Sequence, residues 1–190
     1  MCGIAGVVRL HPGAAGPDDA LLRKMLGALR HRGPDEYGTY RDGLVGLAHA
    51  RLSIIDLATG QQPLANEDGA MWITFNGEIF NYVELRDELI AAGHRFRTRS
   101  DTEVILAAYQ RWGMACVERF IGQWAFALWD PRSRHLHLSR DRAGVRPLYY
   151  AETPTGVAFA SEIKAILASG LIEAAPDHKG IDYFFHFFAM

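Results

Sequence analysis

The sequence predicts an α+β layered sandwich. Strand-like segments come in groups, helical segments gather between them, and short turns join the last strands. Each sheet of such a protein must bury one face on another layer, and 49% hydrophobic content over 190 residues is enough for that core. A single domain spanning 1–190 is the expected organisation.

Gly3 to Arg9 is a short apolar run followed by Pro12, Gly13 and Gly16, so it reads as a buried strand that brings Cys2 to the core edge. Pro17, Asp18 and Asp19 suit a first helical turn, and Leu21, Leu22, Met25, Leu26 and Leu29 recur at helical spacing before Arg32-Gly33-Pro34-Asp35. Strand-like patterning covers Tyr37 to Arg51 and Met71 to Phe75, punctuated by glycines and by the loop Ala58 to Gly69. Asn81 with Glu84 resembles a capping pair opening a helix that ends at Gly93. Ser100-Asp101 can cap another, whose Val104, Ile105, Ala108, Tyr109 and Trp112 share a face. Then come strands at Trp124 to Trp129, His135 to Ser139, Leu148 to Ala151 and Val157 to Ala160. The turn-like links Asp130-Pro131-Arg132-Ser133 and Thr153-Pro154-Thr155-Gly156 make these antiparallel hairpins rather than parallel crossovers. Ser161 starts a helix carrying Ile163, Ile166 and Leu167. Aromatics crowd Asp182 to Met190, which predicts either a longer natural chain or a C-terminal helix docked on its own core.

Charge narrows the function classes. Lys and Arg number 20 against 22 acidic residues, and a net charge of -2 leaves no electrostatic footprint for nucleic acid or an anionic membrane. A small polar substrate fits better. Cys2 and Cys116 are the only cysteines, which excludes a disulfide framework and Cys-x-x-Cys zinc spacing and points to the reducing cytoplasm. Neither a secretory signal nor an apolar run of membrane-spanning length is present. His135 and His137 alternate on one strand and share a face, but no third ligand follows at useful spacing, so no metal is expected. Cys116 reads as structural.

Position 2 is where the chemistry concentrates. In an arbitrary protein a cysteine there is a small buried hydrophobe. Removal of Met1 changes that: Cys2 then carries a free α-amine, with a pKa of about 7.7 to 8.0, that can serve as base for its own thiol. A retained Met1 would lock that amine in a peptide bond. The tetrahedral intermediate also needs oxyanion donors, and Asn76-Gly77 offers a side-chain amide and a backbone N–H at a strand end. A type I′ hairpin turn is the alternative there, although only Glu78, Ile79 and Phe80 precede Asn81, leaving little strand to pair back.

These residues belong to a longer series of motifs. Met-Cys-Gly-Ile-Ala-Gly opens the chain, followed by His31-Arg32-Gly33-Pro34-Asp35, Arg51-Leu52-Ser53-Ile54-Ile55-Asp56, Gly60-Gln61-Gln62-Pro63-Leu64 and Phe75-Asn76-Gly77-Glu78-Ile79-Phe80-Asn81-Tyr82. Ser100-Asp101-Thr102-Glu103, Ser139-Arg140-Asp141-Arg142, Pro147-Leu148-Tyr149-Tyr150 and Phe159-Ala160-Ser161-Glu162-Ile163-Lys164 complete it. In that order they resemble a class II glutamine amidotransferase of the asparagine synthetase branch, over almost the whole chain. The resemblance implies an N-terminal nucleophile hydrolase fold: a four-layer α/β/β/α sandwich of two antiparallel sheets between helical layers. It implies cleavage of L-glutamine to glutamate and ammonia through a cysteinyl thioester, with no cofactor in this domain. A following synthetase domain in the same longer chain would use ATP and Mg to activate aspartate, and a homodimer is a possible assembly.

Carried over residue by residue, Cys2 is the nucleophile, and Asn76 and Gly77 form the oxyanion hole. Arg51 and Asp101 hold the substrate's α-carboxylate and α-ammonium, as charge-assisted hydrogen bonds require. Leu52, Ile54, Ile55 and Glu78 line the same pocket. Without the motif series, Arg51 would read as a surface salt-bridge arginine and Asp101 as a plain helix N-cap. Arg32 is expected to act only from behind Cys2. Ala143 and Trp124 depart from the family's aromatic and phenylalanine, in what reads as apolar surroundings away from the glutamine site. A glutaminase feeding another acceptor in cell-envelope or secondary metabolism remains open, as does an inactive docking module. A Ser-Gly-Gly-x-Asp-Ser type pyrophosphate loop, which would mark an ATP-dependent synthetase, is not in this sequence.

Overall fold

The computed structural model describes residues 1–11, 13, 15–53 and 60–188. In chain order the elements are β1 (Gly3–Arg9), α1 (Asp19–Gly27), β2 (Glu36–Arg41), β3 (Val45–Arg51), β4 (Leu64–Ala65), β5 (Trp72–Ile79), α2 (Tyr82–Ala91) and α3 (Asp101–Trp112). A 3₁₀ helix (Gly113–Arg119), β6 (Gly122–Asp130), β7 (His135–Arg140), β8 (Tyr149–Thr153), β9 (Gly156–Ala160), α4 (Ile163–Ala168) and α5 (His178–Phe187) follow. One sheet has the order β2-β3-β1-β9-β8 and the other β4-β5-β6-β7, with antiparallel pairing throughout.

The period of two along each strand divides the core into three apolar layers. Val7 and Ala48 face α1 and α4, whose Leu22, Met25, Leu26 and Ile166 pack on the small alanines of β1, β3 and β9. Their neighbours Val8 and Leu47 point the other way, between the sheets, where they meet Ala127, Trp129 and Phe159. Leu128 and Phe126 face outward again and are covered by Leu85, Leu89, Val104, Ile105 and Ala108 of α2 and α3. The result is the four-layer α/β/β/α sandwich. Full burial of each large side chain contributes about 1.5–3 kcal/mol, so both sheets are held on both faces.

Several boundaries differ from expectation. Helix α1 begins at Asp19, and Asp18 is its N-cap, accepting from Leu21 N at 2.7 Å, so Pro17 and Asp18 lie outside the first turn. Asn81 sits at the N-cap of α2 but makes no capping bond: its side chain donates to Arg119 O at 3.0 Å and accepts from Ile121 N at 2.9 Å. The strand expected to finish at Phe75 runs to Ile79, with Asn76 opposite Ala125 and Gly77 opposite Trp124. Asn76-Gly77 is therefore strand interior. Helix α4 starts at Ile163, two residues after Ser161, and Ile163 itself is exposed. Ala143 is exposed in the turn after β7, whereas Trp124 is buried against Phe120. Helix α5 buries none of its residues, so it does not close the core.

Candidate active site

Pairing of Gly3 with Ala50 brings Cys2 to the end of β3, beside Arg51 and Leu52. The amide of Leu52 donates to Cys2 Sγ at 3.4 Å, and the thiol reaches Leu52 O at 3.6 Å. Burial pushes the Cys2 thiol up, while the Leu52 amide, the N-terminal charge, Arg51 and Arg146 oppose that rise. The thiol rests protonated at neutral pH, so a nucleophilic role requires a base. Met1 is 55% exposed and lines the same pocket, open to removal.

Strand β5 contributes one edge. Beyond its short pairing with β4, that edge faces the pocket: Phe75 N donates to Gln62 Oε1 at 2.6 Å and Ile79 N to Asp101 Oδ2 at 3.0 Å. Backbone alternation directs the Gly77 N–H, midway between them, to the same edge. A Cβ on Gly77 would lie 2.2 Å from Gln123 O, so pairing with β6 excludes any side chain. Asn76 is buried, and its Nδ2 has no hydrogen-bond partner among the described residues. An unsatisfied buried amide is expensive unless a ligand completes it.

The charged groups face each other across the pocket. Arg51 is only 4% exposed, a buried cation rather than a surface one, and its Nη1 donates to Glu36 Oε2 at 2.8 Å from the directly opposed position on β2. Asp101 opens α3, but the N-cap is Ser100, whose Oγ accepts from Thr102 N at 3.1 Å. Burial pushes the Asp101 carboxyl up; hydrogen bonds from Ile79, Ser100 and Thr102 oppose this, and Glu78 adds to it. A cation would relieve that strain, because Glu78 and Asp101 are like charges on one wall.

Cys2, Arg51, Leu52, Asn76, Gly77, Glu78 and Asp101 thus line one cavity of about 100 Å³. Ile54 and Ile55 lie outside the described residues. Gln62, Ser100, Thr102 and Arg146 line the cavity too, and sequence reading missed them. Gln62 bridges β5 and α3, since its Nε2 also donates to Thr102 Oγ1 at 3.2 Å. Its place in Gly60-Gln61-Gln62-Pro63-Leu64 was the available signal. Arg32 lies behind Cys2, donating from Nε to Cys2 O at 3.0 Å. His137 is elsewhere, on β7, with Nε2 at 3.1 Å from Tyr109 Oη, and no cluster of three metal-ligating side chains occurs among the described residues. Cys116 is buried, and burial pushes its thiol up to about 12.

Two antiparallel sheets thus lie face to face between helical layers, with the cysteine at position 2 opening into a polar pocket. The fold matches the glutamine phosphoribosylpyrophosphate amidotransferase of B. subtilis at a TM-score of 0.70 over 89% of this chain and 44% of that one, at 21% identity. Residues 1–190 match the model of the glutamine amidotransferase domain, and the chain belongs to that family. It is 45% identical to asparagine synthetase [glutamine-hydrolyzing] 1 of Bacillus subtilis, over 89% of this chain and 27% of that protein. Identity to a putative asparagine synthetase of Mycobacterium tuberculosis is 41%, over 97% of this chain and 31% of the relative. The amidase chyE of Penicillium rubens is 36% identical over 90% of this chain and 27% of its own length. The chain thus spans about a third or less of the length of these relatives. No described helix is long and apolar enough to cross a membrane.

Proposed function

We propose that this domain hydrolyses L-glutamine to L-glutamate and ammonia, with Cys2 as nucleophile, and that a following domain uses the ammonia to make asparagine from aspartate. The observation that carries the reading is the convergence on one cavity of the Cys2 thiol, Arg51, Asp101 and Asn76, whose Nδ2 has no hydrogen-bond partner among the described residues. Glutamine fits this set with its carboxylate on Arg51, its ammonium on Asp101 and Glu78, and its amide carbon at the sulfur.

Once Met1 is removed, the Cys2 α-amine takes the thiol proton as sulfur attacks the amide carbon. Asn76 Nδ2 and the Gly77 N–H stabilise the oxyanion. The amine returns the proton to the leaving nitrogen, ammonia departs, and water hydrolyses the thioester to glutamate. This domain needs no cofactor for these steps, and ATP and Mg would act only in the synthetase domain. Cytoplasmic location and assembly as a homodimer belong to the same reading.

Ammonia release from glutamine by the full-length protein, and by Cys2→Ala, tests the reaction: loss in the variant is expected, and retention would refute it. Asparagine formed from aspartate, ATP and glutamine tests the acceptor. The resemblance to the amidase chyE favours keeping a second reading, in which another acceptor receives the nitrogen; glutamine hydrolysis without asparagine formation would select it.

A further inference from the structure

The residues just after β9 clamp the start of β1. Ser161 exchanges two hydrogen bonds with Ile4: its Oγ accepts from Ile4 N at 3.0 Å and its N–H donates to Ile4 O at 2.8 Å. Glu162 comes next and gathers three basic side chains, with Oε1 accepting from Arg32 Nη1 at 3.0 Å and meeting His31 Nε2 at 2.8 Å, and Oε2 meeting Lys164 Nζ at 3.0 Å. His31 and Lys164 are more than half exposed, and such surface pairs contribute little. Arg32 differs, because its side chain is 9% exposed and its Nε holds the Cys2 carbonyl at 3.0 Å.

A buried guanidinium held only by neutral acceptors is costly and poorly fixed, whereas a paired carboxylate both neutralises and orients it. Partial burial would raise the Glu162 carboxyl, but hydrogen bonds from Arg32, Lys164 and His31 hold it down to about 2, so it stays ionised in any ordinary assay. The loop carrying Arg32 is fixed from the other side as well. Gly33 sits so close to β3 that a Cβ there would be 2.1 Å from Ala50 O.

We infer that Glu162 is a positioning residue for glutamine hydrolysis: its carboxylate orients Arg32, whose guanidinium fixes the Cys2 carbonyl and with it the direction of the thiol. This rests on Cys2 being the nucleophile. Glutamine's charged ends are held elsewhere, by Arg51 and Asp101, so loss of Glu162 should slow turnover without weakening substrate capture.

The test is a double-mutant cycle in the full-length protein, with kcat and KM read from ammonia release and folding from thermal unfolding. Glu162→Gln should lower kcat by about 10- to 100-fold, the order expected when a reacting group is misplaced by about 1 Å, with KM within about 2-fold. In an Arg32→Met background the same change should have no further effect, because Glu162 acts through Arg32. An unchanged kcat in Glu162→Gln, or losses that multiply in the double variant, would overturn the inference. Should Glu162→Gln not fold, Arg32→Lys decides: lysine keeps the charge but cannot bridge both acceptors, so kcat should fall, and a wild-type kcat would overturn the inference. Cys2→Ala, run alongside, separates the two ideas, since ammonia release there would refute the nucleophile itself.

Discussion

At the scale of single residues, environment decides chemistry. The sequence holds two thiols: Cys116 is buried in the apolar core, while Cys2 faces a cavity lined with charged and amide groups. Arg51 and Asp101 could be singled out only through the motif series, because a lone arginine or an acid after serine has commoner uses. Glu36 was not legible at all, and Gln62 only as a member of Gly60-Gln61-Gln62-Pro63-Leu64: each takes on a role only when the fold sets it beside Arg51 or Thr102. Arg51→Lys should raise the KM for glutamine about tenfold, since lysine cannot present the planar fork to a carboxylate, and steady-state kinetics would check it. Asp101→Asn should act likewise at the ammonium end; unchanged KM in both variants would refute the clamp. His49, buried with Nε2 at 3.1 Å from Phe75 O, is held down at about 4, chiefly by burial and further by Arg51, against the Phe75 hydrogen bond. Above the usual 6.5 the ring is neutral whether folded or unfolded, and its contribution to stability is fully present. As pH falls from 6.5 towards 4 the unfolded chain binds a proton that the folded chain refuses, so stability drops. His49→Gln should flatten that part of the denaturation midpoint against pH, and an unaltered slope would contradict the assignment.

Secondary elements set the precision of the site. Most of them were legible because their signals are local: alternation marks the strands, and short Pro- and Gly-containing turns mark the hairpins β6-β7 and β8-β9. Two were not, since β4 has only two residues and the 3₁₀ helix begins at Gly113, directly after the last residue of α3. The end of β5 was misjudged for a different reason. Asn-Gly favours a turn locally, but eight consecutive pairs with β6, a strand more than 40 residues away, hold it extended. That extension gives Asn76 and Gly77, the proposed oxyanion donors, a rigid mount. Asn76→Ala should therefore keep glutamine binding and lower kcat by about 100- to 1,000-fold, the usual effect of removing one donor. Gly77→Ala should lose both activity and stability, because its Cβ would collide with Gln123 O, and thermal unfolding would separate it from Asn76→Ala.

For the molecule as a whole, the two sheets form a scaffold on which the pocket is assembled from the end of β3, the edge of β5 and the start of α3. The layered class followed from the grouping of elements, whereas the strand order β2-β3-β1-β9-β8 depends on distant pairings that no local pattern encodes. Leu47 lies between the sheets with no exposure, so Leu47→Ala should destabilise the domain by about 2–5 kcal/mol in denaturant titration while leaving the pocket residues in place. Glutamine hydrolysis in this pocket requires Cys2 as a processed, activated nucleophile. A glutamine analogue bearing a diazoketone, followed by intact-mass and peptide mapping, tests this most directly. The prediction is a chain lacking Met1 that carries one adduct on Cys2 and none on Cys116, because only an accessible, activated thiol reacts. Full glutaminase activity in protein that retains Met1, or an adduct anywhere but Cys2, would contradict it.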